Sequence, residues 1–143
     1  MPEKKLSLGV FVCIFNKDFS KILLIKRNAE KRKKYGKDWG NIGGIIEFRE
    51  TSKQACIREA QEEIGLTLKE NELKLIKVKE MPNYSEIYHA TQFIYAISIS
   101  EDAKITINHE SEDFKWFNLD NLPESMLDKK EDILDILRVM KKG

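Results

Sequence analysis

The sequence predicts an α/β (α+β) fold in which a mixed β-sheet lies between layers of helices. Three observations lead to this fold class. Apolar runs rich in β-branched residues recur along the chain, two other segments carry apolar residues at helical spacing, and the two kinds of segment are interleaved. A chain of 143 residues is long enough to bury one core, so we expect a single domain over residues 1–143.

The first predicted elements are two strands joined as a hairpin. The runs Leu6–Phe15 and Lys21–Arg27 are apolar and β-branched, and the turn residues "NKDFS" separate them. The next segment, "NAEKRKKYGKDWGN", is polar and basic and contains two glycines, so we expect a loop there. A short strand is expected at Ile42–Glu47.

A helix is predicted to follow Thr51. Thr51 and Gln54, three residues apart, fit a capping box, and Gly65 stands where a left-handed C-terminal cap is usual. Between them, apolar residues such as Ala60 and Ile64 recur at helical spacing and predict a core-facing stripe. This helix carries the charged residues on which the functional interpretation of the sequence depends.

The second half of the chain predicts three further strands and a closing helix. The strands are expected at Leu73–Val78, Ile87–Ser98 and Phe114–Phe117. The segment "LDKKEDILDILRVMKK" carries apolar residues at helical spacing, which predicts a second amphipathic helix.

Composition excludes some classes of partner. The chain has 25 Lys and Arg against 24 Asp and Glu, so its charge gives no general reason to bind nucleic acid. Cys13 and Cys56 lie in apolar patterns and are expected to be buried thiols. The apolar run near the N-terminus is too short to span a bilayer, so we expect no membrane partner and a cytoplasmic location.

Three carboxylates on the central helix indicate a metal site. Glu59, Glu62 and Glu63 are three and four positions apart, so they share one face and repel each other unless a cation compensates them. A Mg²⁺-class ion is hard, prefers oxygen and binds carboxylates together with substrate phosphates. Arg58, about 100° away around the helix, is expected to point away from this patch toward Glu50. The alternative is an ordinary solvated, charged helix face.

The wider pattern resembles the signature of the Nudix hydrolase superfamily, the MutT-like pyrophosphohydrolases. It runs over 23 residues, from Gly44 to Leu66, and its constrained positions are Gly44, Glu50, Arg58-Glu59, an apolar residue, Glu62-Glu63, Gly65 and an apolar residue. Ala60 is smaller than the residue that the family usually has, and Ile42 replaces a frequent proline. The resemblance implies a Nudix-type α/β/α sandwich with a mixed sheet between helices.

The same resemblance implies a metal-dependent hydrolase that cleaves the pyrophosphate linkage of a nucleoside di- or triphosphate derivative, either NTP/dNTP-like or ADP-ribose-like. Water would attack phosphorus, with Mg²⁺ or Mn²⁺ as the cofactor. Glu59, Glu62 and Glu63 would be catalytic and would bind the metal, with help from the Gly44 carbonyl and Glu47. Either Glu62 or Glu63 would take the proton from water.

Other residues are expected to support this site. Arg58 and Glu50 would brace the loop against the helix, and Gly65 would end the helix. The pair Gly43 and Gly44 would let the backbone turn tightly and expose carbonyl oxygens. Arg49 stands where the family frequently has glycine. If the position requires a positive φ, an arginine there is energetically unfavourable. Alternatively, the Arg49 guanidinium binds a substrate phosphate.

The sequence says less about the substrate. A proline at the position of Pro82 is typical of family members that hydrolyse ADP-ribose, and a tyrosine at the position of Tyr84 is typical of those that hydrolyse dinucleoside polyphosphates. This chain has both residues, so they do not distinguish the two substrates. The basic segment that begins at Arg27 could steer a polyanion toward the metal. Glu110 and Glu112 are candidate contributors from a later loop. Candidate base-stacking rings are Tyr35, Phe48, Tyr84 and Tyr88. A nucleotide-binding sensor with the same fold and no catalysis is the alternative, and a homodimer is possible.

Overall fold

The computed structural model describes residues 3–142 of the chain. Over these residues the chain forms seven strands and three α-helices. The strands are β1 (Lys5–Asn16), β2 (Lys21–Arg27), β3 (Trp39–Gly40), β4 (Ile42–Ile45), β5 (Lys74–Met81), β6 (Tyr88–Ile99) and β7 (Ser111–Asn118). The helices are α1 (Ala29–Tyr35), α2 (Ser52–Ile64) and α3 (Lys130–Lys142).

The strands form one mixed sheet in the order β3-β2-β1-β6-β5, with β4 also paired to β1 and β7 to β2. β1 and β6 are parallel, and the other pairs are antiparallel. The C-terminal end of β1 pairs with β2, at Ile14 and Leu23, while its middle pairs with β4, where Val10 is opposite Gly44. β1 therefore holds the glycine pair at the centre of the sheet.

Alternate residues of β1 face two separate cores. Val10 and Val12 pack in one core with the buried face of α2, and Phe11 and Phe15 pack in the other with α3. Successive strand residues point to opposite sides of a sheet, so the two helices cover opposite faces. The predicted α/β/α arrangement is confirmed. Full burial of each such side chain stabilises the fold by about 1.5–3 kcal/mol.

Helix α2 begins and ends as its sequence predicts. The Thr51 hydroxyl accepts from the Gln54 backbone N–H, and the Gln54 side chain accepts from the Thr51 N–H. Gly65 has a φ of 69°, and its N–H donates to backbone carbonyls of the last turn. Both caps supply partners for backbone groups that a helix end leaves unpaired.

Two elements, α1 and β3, lie in the segment that the sequence predicts to be a loop. The segment expected to be a loop contains α1, whose N-cap is Asn28 and whose C-cap is Gly36 with a φ of 71°. The helix buries none of its residues, so it lacks the apolar periodicity by which helices are recognised. The predicted strand Ile42–Glu47 ends earlier, at Ile45.

Two further expectations concern thiols and membranes. Cys13 and Cys56 are buried and free, as predicted. Within residues 3–142, none of the helices combines the length and the apolar character needed to cross a membrane.

Candidate active site

Arg58 on α2 binds Glu50, in the loop before the helix, through two hydrogen bonds. Its Nε donates to Glu50 Oε2 at 2.8 Å, and its Nη2 donates to Oε1 at 3.0 Å. Nη2 also donates to the Ile45 carbonyl oxygen at 2.9 Å. The hydrogen bonds from Arg58 lower the pKa of the Glu50 carboxyl, because they stabilise its charged form. Arg58 thus ties the loop after β4 to α2.

Arg58 does not point away from the acidic patch, which corrects the expectation from helical angles. Its Nη1 lies 2.7 Å from Glu59 Oε1, 3.4 Å from Glu62 Oε2 and 3.7 Å from Glu47 Oε1. The angle around the helix fixes only the direction of the Cβ, and the long arginine side chain folds back over the patch. The protein itself therefore supplies one cation to this cluster.

Glu63 lies behind Glu59, next to the glycine pair. Its Oε2 accepts a hydrogen bond from the Gly43 backbone N–H at 3.1 Å. Burial raises the pKa of Glu63 to about 8, and the nearby charge of Glu59 contributes in the same direction. Burial also raises the pKa of Glu59, although Arg58 partly offsets that shift. Two neighbouring carboxyls thus lie where their charged forms are poorly solvated.

The glycine pair is required by close contacts. A Cβ on Gly44 would overlap the Glu59 carboxylate, and a Cβ on Gly43 would overlap the Val10 carbonyl oxygen. Both glycines belong to β4 and neither has a positive φ, so the expected tight turn at this pair is wrong. The Gly44 carbonyl oxygen lies 3.4 Å from the position that a Cβ of Gly9 would take, so it faces β1.

The chemistry of these side chains fits a hard divalent cation. Two partly buried carboxyls with raised pKa values lie beside a glycine that leaves room for one of them. Glu62 and Glu47 are more exposed, at 55% and 66% of their side chains, and both lie near Arg58. In residues 3–142 no three His, Cys, Asp or Glu side chains are already grouped around a common point. The ligand set remains a prediction.

Arg49 has a φ of 68°, in the left-handed region that glycine adopts without strain. The backbone at Arg49 therefore has the positive φ that makes a non-glycine residue energetically unfavourable at this position. The Arg49 guanidinium lies 5.2 Å from the centre of the Phe48 ring, a cation–π contact. Phe48 itself is 89% exposed.

Basic residues also lie close enough to act on the carboxyls. Arg27 and Lys31 act on Glu63, where their charges lower its pKa against the effect of burial. Lys31 Nζ binds Glu110 Oε2 at 2.9 Å, and the Glu110 charge in turn raises the pKa of Glu59. The structure thus brings Arg27 and Glu110 to the acidic cluster. The sequence prediction missed Lys31, which follows Arg27 by four residues and becomes notable only once α1 is known.

The other late-loop candidate is engaged elsewhere. Glu112 Oε2 accepts a hydrogen bond from Arg32 Nη1 at 2.6 Å, which lowers the pKa of the Glu112 carboxyl.

A buried polar group also escaped the sequence prediction. Asn41 Nδ2 donates to Asp128 Oδ2 at 2.7 Å, and burial raises the pKa of Asp128. Within the part of the chain that the structure describes, residues 3–142, Asn41 Oδ1 and Arg27 Nε are buried without a hydrogen-bond partner. Asn41 and Asp128 are 87 positions apart, so no local pattern in the sequence could join them.

The four rings proposed for base stacking lie around a single cleft of about 720 Å³. Glu47, Arg49 and Glu50 line the same cleft. Because Glu47 and Glu50 both contact Arg58, the cleft borders the acidic cluster.

Comparison with known proteins gives consistent matches. A family model described as the NUDIX domain matches residues 5–137. The chain is 31% identical, over 100 residues, to a dihydroneopterin triphosphate diphosphatase of Haemophilus influenzae, covering 70% of this chain and 60% of that protein. It is 30% identical, over 125 residues, to an ADP-ribose pyrophosphatase of Methanocaldococcus jannaschii, covering 87% of this chain and 70% of that one. The chain spans only about 60% of the length of the first relative.

Solved structures share the fold. A MutT/nudix family protein from Enterococcus faecalis superposes with a TM-score of 0.74 at 20% identity, covering 99% of this chain and 65% of that one. At this identity the likeness concerns the fold alone.

Proposed function

The chain belongs to the NUDIX domain family, and on that premise we propose that it is a pyrophosphohydrolase dependent on a divalent cation. The reaction is cleavage of the phosphoanhydride in a nucleoside di- or triphosphate derivative by water. One observation carries this proposal: Glu59 and Glu63 lie together, partly buried, against a glycine whose Cβ would displace the Glu59 carboxylate.

The residues that would hold Mg²⁺ or Mn²⁺ are Glu59, Glu62 and Glu63, with Glu47 and the Gly44 carbonyl as further candidates. When bound, such a cation offsets the charge of phosphate oxygens and lowers the pKa of water. Both Glu59 and Glu63 lie on α2; Glu63 accepts a hydrogen bond from the Gly43 N–H, and Glu59 accepts one from Arg58. Rigid placement of this kind is what a metal site requires of its surrounding residues.

Proton transfer from the attacking water requires a carboxylate that water can reach. The Glu62 side chain is 55% exposed and its nearest cationic partner, Arg58, is 3.4 Å away. Glu63 is less accessible, and with a pKa of about 8 only a minority of it is deprotonated at pH 7, so as a base it would act through that fraction and become more effective as pH rises. We keep both as candidates and separate them by experiment, through the pH dependence of kcat in Glu62→Gln and Glu63→Gln.

Arg27 and Lys31 would bind the phosphates of the substrate. Their charges already act on Glu63, so an anion next to the carboxyls would be attracted from this side. Arg27 Nε is buried and has no hydrogen-bond partner within residues 3–142, so contact with the phosphates would come from the outer nitrogens of the guanidinium. The relatives are named for activities on dihydroneopterin triphosphate and ADP-ribose, which supports the proposal of a nucleotide-like phosphoanhydride as the substrate.

The test is a hydrolysis panel with and without Mg²⁺. It comprises nucleoside triphosphates, oxidised guanine triphosphates, ADP-ribose, diadenosine polyphosphates and dihydroneopterin triphosphate, with products resolved by chromatography. We expect Mg²⁺-dependent turnover of at least one compound and its loss in Glu63→Gln. Glu80→Gln, at an exposed position of β5, is the matched control and should retain turnover. Binding without products across the panel would favour a sensor module.

A further inference from the structure

We propose that the cleft formed by Tyr35, Phe48, Tyr84 and Tyr88, called here the aromatic cleft, binds the planar heterocycle of the substrate. The inference rests on the proposed function and deepens it, because it requires a substrate whose phosphoanhydride is attached to an aromatic base. A phosphoanhydride without such a ring would gain nothing from this cleft.

The four rings come from four separate parts of the fold. Tyr35 ends α1, Phe48 follows β4, Tyr84 lies in the turn between β5 and β6, and Tyr88 begins β6. Phe48 is 89% exposed, Tyr84 64%, Tyr35 49% and Tyr88 37%. Clustered exposed apolar surface usually marks a binding site, whereas single exposed residues do not. Tyr84 and Tyr88 belong to one stretch of the chain, which the fold brings together with Tyr35 and Phe48.

The size and chemistry of the cleft suit a base. Its volume, about 720 Å³, lies within the range of small-molecule sites, which is roughly 300–1,000 Å³. Leu6 and Leu8 of β1 add aliphatic walls. Stacking of one base on aromatic side chains contributes about 1–3 kcal/mol and tolerates different bases, since each base has a π-face.

The cleft is continuous with the acidic cluster in two places. Glu47 and Glu50 line it, and both contact Arg58. On the other side, the Arg27 guanidinium lies 5.5 Å from the Tyr35 ring centre. A base held between these rings would therefore leave its phosphates on the side of Arg27 and the carboxyls.

Arg49 adds a cation to the wall of the cleft. Its guanidinium lies 5.2 Å from the Phe48 ring centre, on a backbone with a φ of 68°. Non-glycine residues in this conformation are strained and are concentrated at ligand sites. A cation beside an aromatic ring suits a ligand that is both planar and anionic, as a nucleotide is.

A second copy of the chain is the competing occupant, and the lining disfavours it. The cores of protein interfaces are depleted of Glu and Asp, whereas Glu47 and Glu50 line this cleft. Charged groups among aromatic rings match a nucleotide better than a flat apolar partner.

The test compares ligands with and without a base on the intact protein in Mg²⁺. AMP and GMP carry a heterocycle, and ribose 5-phosphate carries the same phosphate without one; none contains an anhydride that could be hydrolysed. We expect calorimetric titrations to show tighter binding of AMP or GMP than of ribose 5-phosphate. Phe48→Ala and Tyr84→Ala should each weaken nucleotide binding about tenfold or more, and leave ribose 5-phosphate unchanged.

Two control variants separate stacking from general damage. Tyr84→Phe retains the ring and should bind AMP as the wild type does. Leu134→Ala removes an exposed apolar side chain on α3, away from the cleft, and should change nothing. Phe48 is almost fully exposed, so its replacement should leave the fold intact, which circular dichroism checks.

Several outcomes would overturn the inference. The inference fails if wild-type protein binds ribose 5-phosphate as tightly as AMP and GMP, or if the alanine variants bind nucleotides normally. A wild-type dimer that Phe48→Ala converts to monomer, with nucleotide binding unchanged, would assign the cleft to a second copy. If the panel shows turnover while these variants bind normally, only this inference fails. If base-selective binding is lost in the variants but no compound is turned over, only the proposed function fails.

Discussion

Removing the guanidinium of Arg58 tests how far the region around α2 depends on one cation. Arg58→Met keeps the length of the side chain but leaves Glu50, Glu59 and the Ile45 carbonyl without their donor. The Glu50 and Glu59 side chains are each 14% exposed, and that of Arg58 is 22% exposed. Breaking a buried pair costs about 3–5 kcal/mol, against about 0.2–1 kcal/mol for an exposed one. Because this pair is mostly but not wholly buried, we expect a loss of about 3 kcal/mol in the free energy of unfolding.

Urea denaturation of the metal-free protein measures this loss. Arg138→Met is the control, since Arg138 pairs with Asp135 on side chains that are 70% and 60% exposed, and it should cost less than about 1 kcal/mol. Combining Arg58→Met with Glu50→Gln should cost less than the two changes added together, with a coupling of about 2 kcal/mol. If Arg58→Met costs no more than Arg138→Met, the reasoning about burial of this network is refuted.

Three further predictions concern the same region. Burial raises the pKa of Glu63 to about 8 from an ordinary 4.5, so the stability that its protonated form provides is fully present below about pH 4.5 and is lost as pH rises through 8. Glu63→Gln should flatten this fall in urea denaturation of metal-free protein, and an unchanged slope would contradict the shift. Gly44→Ala should displace the Glu59 carboxylate and weaken calorimetric Mg²⁺ binding about tenfold or more, whereas Glu80→Gln, at an exposed position of β5, should not. Arg49→Gly should raise the free energy of unfolding by about 1 kcal/mol by removing the positive φ strain, and a decrease would mean that the Phe48 contact outweighs the strain.

The parts of the fold that the sequence predicts well are those encoded by neighbouring residues. The boundaries of α2 depend on Thr51, Gln54 and Gly65, which all act within a few positions of the helix ends, and the structure has them where the sequence predicts. Helix α1 was missed because it buries none of its residues and has no apolar period. Its local signals were Asn28 and Gly36, which are weak when no periodic segment lies between them.

The candidate site divides in the same way. Membership of the Nudix family follows from one continuous segment, and the match over residues 5–137 confirms it. The role of each residue in that segment stays a prediction. Asn41 and Asp128 were not predictable, because only the tertiary fold joins residues 87 positions apart. The direction of Arg58 was wrong because the rotation of a helix does not determine where the end of a long side chain lies.

The acidic cluster is compatible with a folded protein because its carboxyls carry their charge in different ways. Glu59 is paired with Arg58 at 2.7 Å. Glu62 remains mostly in solvent, where its charge is inexpensive. Glu63 is buried enough that the raised pKa, about 8, keeps much of it protonated near neutral pH. A divalent cation that binds this cluster must therefore compete with Arg58 for Glu59 and with a proton for Glu63. The affinity of the cluster for the cation should therefore rise with pH, as Glu63 loses its proton. The charge of Glu59 is already compensated by Arg58, so Glu59 gains less from the cation than an unpaired carboxylate would.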